Sequence, residues 1–148
     1  MQIRRAIPSD LNEIQRCAEA AYKKYIPRIG RKPAPMVADF SSAIASQCLN
    51  VFEDGSIEGF IIFFPREDHI HVENIAVLPN AQGKGIGSKL LAYAEEQAEI
   101  IGMKAIELYT NEKMSESISY YNYLGFIEID RRKEDGFSRV YFRKNLTD

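Results

Sequence analysis

The segment of residues 77–91, VLPNAQGKGIGSKLL, has three glycines at alternate positions between an apolar strand pattern and a helical pattern. Gly83, Gly85 and Gly87 allow the backbone to turn tightly and to approach a ligand without side-chain interference. Their N–H groups and the N-terminus of the following helix carry partial positive charge. The segment therefore predicts a strand, a loop suited to binding a phosphate, and a helix, in that order.

Other glycine-rich loops fit this segment less well. A P-loop needs a Gly-Lys pair five residues after its first glycine, where this chain has Ser88. The dinucleotide-binding motif G-x-G-x-x-G needs its third glycine at the same position, which is Ser88 in this chain. Glu107 has the spacing of its acidic ribose ligand, but the strands before the loop are typical of an antiparallel meander. A turn with a purely structural role stays open as an alternative.

Periodicity in the rest of the chain predicts an α/β (α+β) fold in which helices flank one mixed, mainly antiparallel sheet. The Asp54-Gly55 pair and the turn that starts at Pro65 are hairpin signals. Gly102 and Gly125 are suited to ending helices. The predicted elements follow the order βααβββαβαββ: strand 2–7, helix 11–25, loop 25–36, helix 36–47, strands 48–53, 56–64 and 69–77, a helix that follows the glycines and ends at Gly102, strand 104–110, helix 115–124, and strands 126–133 and 137–144.

Length and composition limit the class of protein. A chain of 148 residues predicts one domain over residues 1–148, and 45% hydrophobic residues with a net charge of −2 are typical of a globular protein. Basic residues form only short clusters, so no nucleic-acid partner is expected. Cys17 and Cys48 lack disulfide or metal-ligand spacing. The chain has no signal-peptide pattern and no apolar run long enough to span a membrane, so we expect a cytoplasmic protein.

Three motifs resemble those of the GNAT superfamily of N-acetyltransferases. Gln82 to Gly87 is similar to the family's Q/R-x-x-G-x-G/A motif. YNYLGF, residues 121–126, looks like the family's Y-x-x-L-G-F/Y, and IRRAIPSDL, residues 3–11, resembles its first strand and helix start. The resemblance covers nearly the whole chain and implies an acetyl-CoA-dependent N-acetyltransferase.

The resemblance also implies how acetyl-CoA is bound. Its pyrophosphate would lie on the backbone of Gln82, Gly83, Lys84, Gly85, Ile86, Gly87 and Ser88. Its pantetheine and thioester would lie along Ile75, Ala76 and Val77, with the Ile75 N–H directed at the thioester oxygen. Asn111 resembles the family asparagine that binds the pantetheine or the helix start.

Acid and base candidates follow from the resemblance and from strand periodicity. Tyr121 matches the family tyrosine that protonates the leaving thiolate. On the strand HIHVENIAV, the period of two places His69, His71, Glu73 and Ile75 on one face. We rank Glu73 first and His71 second as the base, with Glu107 third. His69, His71 and Glu73 are also a weak metal pattern, but relatives need no metal and none is expected.

The segment of residues 22–39 is expected to shape the acceptor pocket. Arg28, Arg31 and Lys32 would favour an acceptor with a carboxylate or phosphate if they faced the site. We expect a primary amine of a small molecule or amino-acid-like metabolite, with a protein or peptide amine second. A non-catalytic acetyl-CoA-binding module is the competing class. The exposed edge of the last hairpin could pair with a second copy in a homodimer, and the sequence leaves the oligomeric state open.

Overall fold

The computed structural model describes residues 1–146. Within them the strands are β1 (Gln2–Arg5), β2 (Leu49–Asp54), β3 (Ser56–Arg66), β4 (His69–Val77), β5 (Ala105–Asn111), β6 (Ile127–Glu134) and β7 (Phe137–Asn145). The helices are α1 (Leu11–Tyr22), α2 (Ile26–Ile29), α3 (Phe40–Ala45), α4 (Ile86–Ile100) and α5 (Ser115–Tyr123). This confirms the predicted α/β fold class. None of these helices is long and apolar enough to cross a membrane.

The strands form one sheet in the order β1-β2-β3-β4-β5-β7-β6. The β4–β5 pair is parallel and the other pairs of this sheet are antiparallel, as the sequence predicts. Pairing between β4 and β5 runs from His69 opposite Ala105 to Val72 opposite Leu108 and then stops. Both strands continue past this point, so the sheet opens between them on the side of the glycine loop.

Two apolar clusters cover the two faces of the sheet. On one face α1 and α3 pack on the sheet around Ile14 and Phe60. On the other face α4 packs around Leu90 and Phe142. Gly59 of β3 lies under α4, where an added Cβ would come within 2.9 Å of the Ala76 carbonyl oxygen. The absence of a side chain there allows α4 to pack closely on β3.

The structure differs from the sequence prediction between the first and second helical patterns. The predicted helix at 36–47 is wrong at its start, because α3 begins at Phe40. Ala38 is extended, and the Asp39 carboxylate accepts the Ser42 N–H at 3.0 Å, which is an N-cap. The predicted loop at 25–36 contains the short helix α2, which ends at Gly30 with a φ of +90°.

Candidate active site

Three adjoining cavities follow the opening in the sheet. The loop groove, of about 400 Å³, is lined by the glycine loop, Ile75, Val77, Tyr120 and Tyr121. The central cavity, of about 130 Å³, shares Ile75, Val77 and Tyr121 with it. The outer groove, of about 750 Å³, shares Glu73, Asn74, Tyr109 and Arg139 with the central cavity. Together the three cavities form a path that starts at the glycine loop, passes through the central cavity and ends in the outer groove.

The glycine loop exposes backbone donors to the loop groove. Gly83 and Gly85 have φ values of +85° and +79°, which L side chains rarely adopt. The N–H of Lys89 donates to the Gly85 oxygen at 3.0 Å and starts the helical ladder of α4. The N–H groups of Ile86, Gly87 and Ser88 therefore have no helical acceptor. Gln82, Gly83, Gly85, Ile86, Gly87 and Ser88 all line the groove, whereas Lys84 does not.

Helix α5 is joined to the start of α4 by a contact that sequence reasoning missed. The hydroxyl of Tyr120 lies 2.7 Å from Ser88 Oγ. A Cβ on Gly87 would come within 3.1 Å of that hydroxyl. Gly87 has no positive φ, so its role is to make room for Tyr120. Lys89 points away from the groove, with Nζ 3.9 Å from the Met1 sulfur.

Backbone groups of β4 face the opening at alternate residues. The N–H of Leu78 donates to the Glu58 oxygen of β3 at 2.9 Å. Because strand backbone groups alternate between the two edges, those of Ala76 also point to β3, and those of Ile75 and Val77 point toward β5. Pairing with β5 has ended by then. The Ile75 and Val77 N–H groups therefore face the opening without a strand partner.

The carbonyl oxygens of Ile75 and Val77 accept hydrogen bonds from side chains. The Tyr22 hydroxyl lies 2.7 Å from the Ile75 oxygen, and Gln82 Nε2 donates to the Val77 oxygen at 3.2 Å. These bonds fix the orientation of both peptide segments at the opening. Donors are thus left available along β4 while the acceptors are satisfied.

A β-bulge changes the predicted face of β4. Val72 pairs with Phe63 and Asn74 with Ile62, so Glu73 has no partner on β3. The extra residue shifts the alternation, and Ile75 packs against the α4-side cluster. The prediction that Ile75 shares a face with His69, His71 and Glu73 is wrong for this reason.

His71 and Glu73 form a close pair beside the bulge. His71 Nε2 lies 2.7 Å from Glu73 Oε2, and this hydrogen bond is the main cause that lowers the pKa of the Glu73 carboxyl. The His71 side chain is 5% exposed and lies between the rings of Phe64 and Tyr109, whereas that of Glu73 is 40% exposed. Glu73 lines the central cavity and the outer groove, and His71 lines neither.

Asn74 is a second site residue that the sequence interpretation missed. Its Nδ2 donates to the Pro35 oxygen at 2.9 Å, and its Oδ1 lies 2.8 Å from the Tyr22 hydroxyl. Asn74 is buried and connects β4 to α1 and to the segment before α3. An asparagine inside an apolar strand is a signal of such a buried polar contact.

Tyr121 lies where the loop groove meets the central cavity. Its ring packs against Phe126 and Phe142 with centroids 5.7 and 5.9 Å away. Burial raises the pKa of the Tyr121 hydroxyl well above its ordinary value, so the hydroxyl keeps its proton at neutral pH. Asn111 Oδ1 accepts the Lys113 N–H at 2.9 Å in the turn before α5, and Asn111 also lines the central cavity.

Several residues singled out in the sequence lie outside the cavities. Glu107 accepts a bond from Arg143 Nη1 at 2.6 Å, and His69 Nε2 is 3.6 Å away from Glu107. Neither Glu107 nor His69 lines any of the three cavities. In residues 1–146 no group of three or more His, Cys, Asp and Glu side chains is arranged to hold a metal ion.

The three basic residues considered for the acceptor pocket make their contacts outside the cavities. Arg28 Nη2 donates to Glu116 at 2.9 Å. Arg31 lies 3.7 Å from the centroid of the Phe137 ring and donates to the Asp135 carbonyl oxygen. Arg28, Arg31 and Lys32 are absent from the cavity walls, so the condition under which they would favour an anionic acceptor, that they face the site, is not met. The arginine that does line the pocket is Arg139, which sequence reasoning missed.

Comparison with known proteins identifies the class that this fold and site define. Residues 12–126 match the sequence model of the acetyltransferase (GNAT) family. The match covers more than half of the chain, and the chain therefore belongs to this family. The assignment made from the sequence motifs is confirmed.

Individual relatives are similar over parts of their sequences. Aminoalkylphosphonate N-acetyltransferase from Salmonella typhimurium is 35% identical over 75 residues, which cover 46% of this chain and 48% of that protein. [Ribosomal protein bS18]-alanine N-acetyltransferase from Haemophilus influenzae is 35% identical over 85 residues, which cover 57% of this chain and 58% of that protein. The chain thus spans about half of the length of these curated relatives.

One solved structure extends the fold comparison to nearly the whole chain. PaiA N-acetyltransferase from Thermoplasma acidophilum, in complex with coenzyme A, superimposes with a TM-score of 0.74 at 19% identity. The match covers 97% of this chain and 98% of that one. This likeness is one of fold.

Proposed function

We propose that this protein is an acetyl-CoA-dependent N-acetyltransferase that acetylates a primary amine of a small molecule or an amino-acid-like metabolite. The observation that carries the proposal is the opening between β4 and β5. It leads from the glycine loop, past the N–H groups of Val77 and Ile75, to Tyr121 and Glu73. The solved relative with bound coenzyme A supports the choice of donor.

The donor would be held by backbone groups. The free N–H groups at the start of α4 suit the pyrophosphate, because they combine hydrogen-bond donors with the positive end of the helix dipole. The N–H groups of Val77 and Ile75 suit the pantetheine amide and the thioester oxygen. A donor that faces the developing oxyanion contributes on the order of 3 kcal/mol to lowering the barrier.

Proton transfer would use Glu73 and Tyr121. A primary amine with a pKa near ~10 is mostly an ammonium ion at neutral pH and must lose a proton before attack. Glu73 stays ionised because its pKa is lowered, so it attracts the ammonium group, takes up that proton transiently and passes it to solvent. The amine nitrogen then bonds to the acetyl carbon and gives a tetrahedral intermediate. As the carbon–sulfur bond breaks, Tyr121 donates its proton to the thiolate, and the surplus proton on the nitrogen restores the Tyr121 hydroxyl. His71 is a positioning residue in this scheme, because it holds Glu73 and does not line the cavities.

A small acceptor is supported by the size of the central cavity, about 130 Å³, and by the relative that acts on aminoalkylphosphonates. A protein or peptide amine is the second candidate, which the bS18-alanine relative favours. The outer groove, of about 750 Å³, has room for a longer acceptor.

A homodimer that pairs through the last hairpin is a separate proposal, supported by the exposed edge strand β6.

The test is acetyl-CoA turnover with a panel of small amines, amino acids, aminophosphonates and N-terminal peptides, followed by release of free thiol. We expect acceptor-dependent thiol release that falls at least 100-fold in Tyr121→Phe and Glu73→Gln, the range of general acid and base effects. Matched controls are Tyr123→Phe, at a tyrosine that is 86% exposed, and Glu99→Gln on the outer surface of α4. Failure of the wild-type protein to bind acetyl-CoA contradicts the proposal.

A further inference from the structure

Arg139 is a cation at the boundary between the central cavity and the outer groove. Its side chain is 13% exposed and its guanidinium lies over the ring of Tyr109, 4.5 Å from the centroid. The ring of Phe137 lies 5.7 Å from the same group. These aromatic contacts hold the guanidinium in place from the side of β5 and β7.

The hydrogen-bonding capacity of Arg139 is largely unused. A guanidinium has five N–H donors. In the described part of the chain its hydrogen-bond partner is Glu134 Oε1, at the long distance of 3.4 Å. That oxygen also accepts a bond from the Tyr141 hydroxyl. Residues 1–146 contain no fully buried side-chain nitrogen that lacks a partner, so the remaining donors of Arg139 are accessible to solvent, and Arg139 lines both the central cavity and the outer groove.

Glu73 supplies the opposite charge in the same two cavities. The other carboxylates on the wall of the outer groove are Asp39, which caps α3, and Asp135 in the β6–β7 turn, and its other ionisable groups are Cys48 and Tyr109. Lys24 lines the central cavity and lies 3.8 Å from Glu116. Arg139 is thus the cation on the wall of the outer groove, and Glu73 is the carboxylate on the wall of the central cavity.

We propose that Arg139 selects the acceptor, and that the acceptor is a small zwitterion whose anionic group, a carboxylate or a phosphonate, binds Arg139 while its amine lies at Glu73. A bidentate arginine contact suits either group. The inference rests on the proposed function, because it assigns the acceptor end of the same site. The inference excludes amines without an anionic group, polyamines among them, as preferred acceptors.

The experiment measures binding of matched probes to the protein saturated with coenzyme A, by isothermal titration calorimetry. The probes are 2-aminoethylphosphonate, β-alanine and 3-aminopropanol, an analogue that keeps the amine but has a hydroxyl in place of the anionic group. We expect the two anionic probes to bind the wild-type protein about tenfold or more tightly than the alcohol, as for hydrogen bonds to charged groups. In Arg139→Gln that preference should disappear.

Arg66→Gln is the matched control. Arg66 also acts on Glu73 through its charge, lies over Phe64, and lines none of the three cavities. It should leave the preference for anionic probes unchanged. Equal binding of all three probes to the wild-type protein, no measurable binding of any probe at millimolar concentration, or a preference that persists in Arg139→Gln would overturn the inference.

The same titrations separate this inference from the proposed function. Binding of acetyl-CoA to the wild-type protein and thiol release with any amine test the proposed function alone. If the wild-type protein binds acetyl-CoA but shows no preference for the anionic probes, or if Arg139→Gln keeps that preference, only the acceptor inference fails.

Discussion

The hydroxyl of Tyr22 lies 2.7 Å from the carbonyl oxygen of Ile75 and joins the end of α1 to the strand that borders the opening. The same hydroxyl is 2.8 Å from Asn74 Oδ1. It is buried, and desolvation raises its pKa well above the ordinary value, so it remains a donor at neutral pH. Helix α1 thereby fixes the peptide groups on which the proposed thioester site depends.

Replacement of Tyr22 by Phe should lower the free energy of unfolding by roughly 1–3 kcal/mol, because two buried acceptors lose their shared donor. Chemical denaturation measures this change. Tyr93→Phe is the control, since the described structure gives the Tyr93 hydroxyl no hydrogen-bond partner, and it should change stability by less than about 0.5 kcal/mol. Equal stability of Tyr22→Phe and the wild-type protein would contradict the prediction.

His71→Phe should raise the pKa of the Glu73 carboxyl. The hydrogen bond from His71 stabilises the carboxylate and is the first cause of its lowered pKa. A phenylalanine keeps a ring between Phe64 and Tyr109 but removes that bond, so the pKa should rise toward the ordinary value near ~4.3. ¹³C NMR titration of the Glu73 carboxyl carbon measures it. His69→Phe is the control, because His69 lies outside the cavities, and it should leave the pKa of the Glu73 carboxyl unchanged. An unchanged Glu73 pKa in His71→Phe would refute the role given to His71.

Gly59→Ala should destabilise the protein by about 1–3 kcal/mol, the usual range for overpacking a core. The new Cβ would lie 2.9 Å from the Ala76 carbonyl oxygen and 3.3 Å from the Ile86 side chain. Either β4 or the start of α4 must move, and both border the proposed donor site. We therefore expect weaker acetyl-CoA binding together with a lower unfolding temperature. A variant with wild-type stability and affinity would show that α4 accommodates the methyl group without displacement.

Asp10→Asn should change how stability depends on pH. Hydrogen bonds from Arg4 are the main cause that lowers the pKa of the Asp10 carboxyl, and the Ile7 N–H adds to them at 2.8 Å. A carboxyl with a lowered folded-state pKa stabilises the protein above its unfolded-state pKa near ~3.9. That stabilisation is lost as the pH falls through the lower folded-state value.

The Asp10→Asn variant should therefore be about 2 kcal/mol less stable than the wild-type protein at pH 7, with the gap narrowing below about pH 4. Denaturation curves at pH 3 to 7 measure the gap. Asp54→Asn, at the exposed hairpin turn after β2, should show no comparable gap. A gap for Asp10→Asn that stays constant over this pH range would rule out the ion pair as its cause.

Features with a local origin could be predicted from the sequence. Gly83 and Gly85 require positive φ, and their spacing before a helical pattern predicts the phosphate-binding loop directly. Asp54-Gly55 and Asp135-Gly136 occupy the predicted hairpin turns. The order of strands and helices follows from hydrophobic periodicity, which depends on each residue's near neighbours in the chain.

Features that depend on pairing between distant segments required the tertiary structure. The β-bulge at Glu73 arises from the register of β4 against β3, and no periodicity within β4 indicates it. It brings His71, Glu73 and Asn74 together and turns Ile75 to the other face. Likewise Arg139 lies beside Glu73 because β7 pairs with β5, while Arg28 and Arg31 are held by α5 and by the last hairpin.

The sequence by itself determined the family, the position of the glycine loop and the position of Tyr121 in α5, because these depend on backbone conformation and on spacing along the chain. Only the tertiary structure decided which carboxylate and which arginine line the central cavity and the outer groove. Charged residues on strands and loops are placed by the register of the sheet and by competing ion pairs, and both are properties of the folded chain.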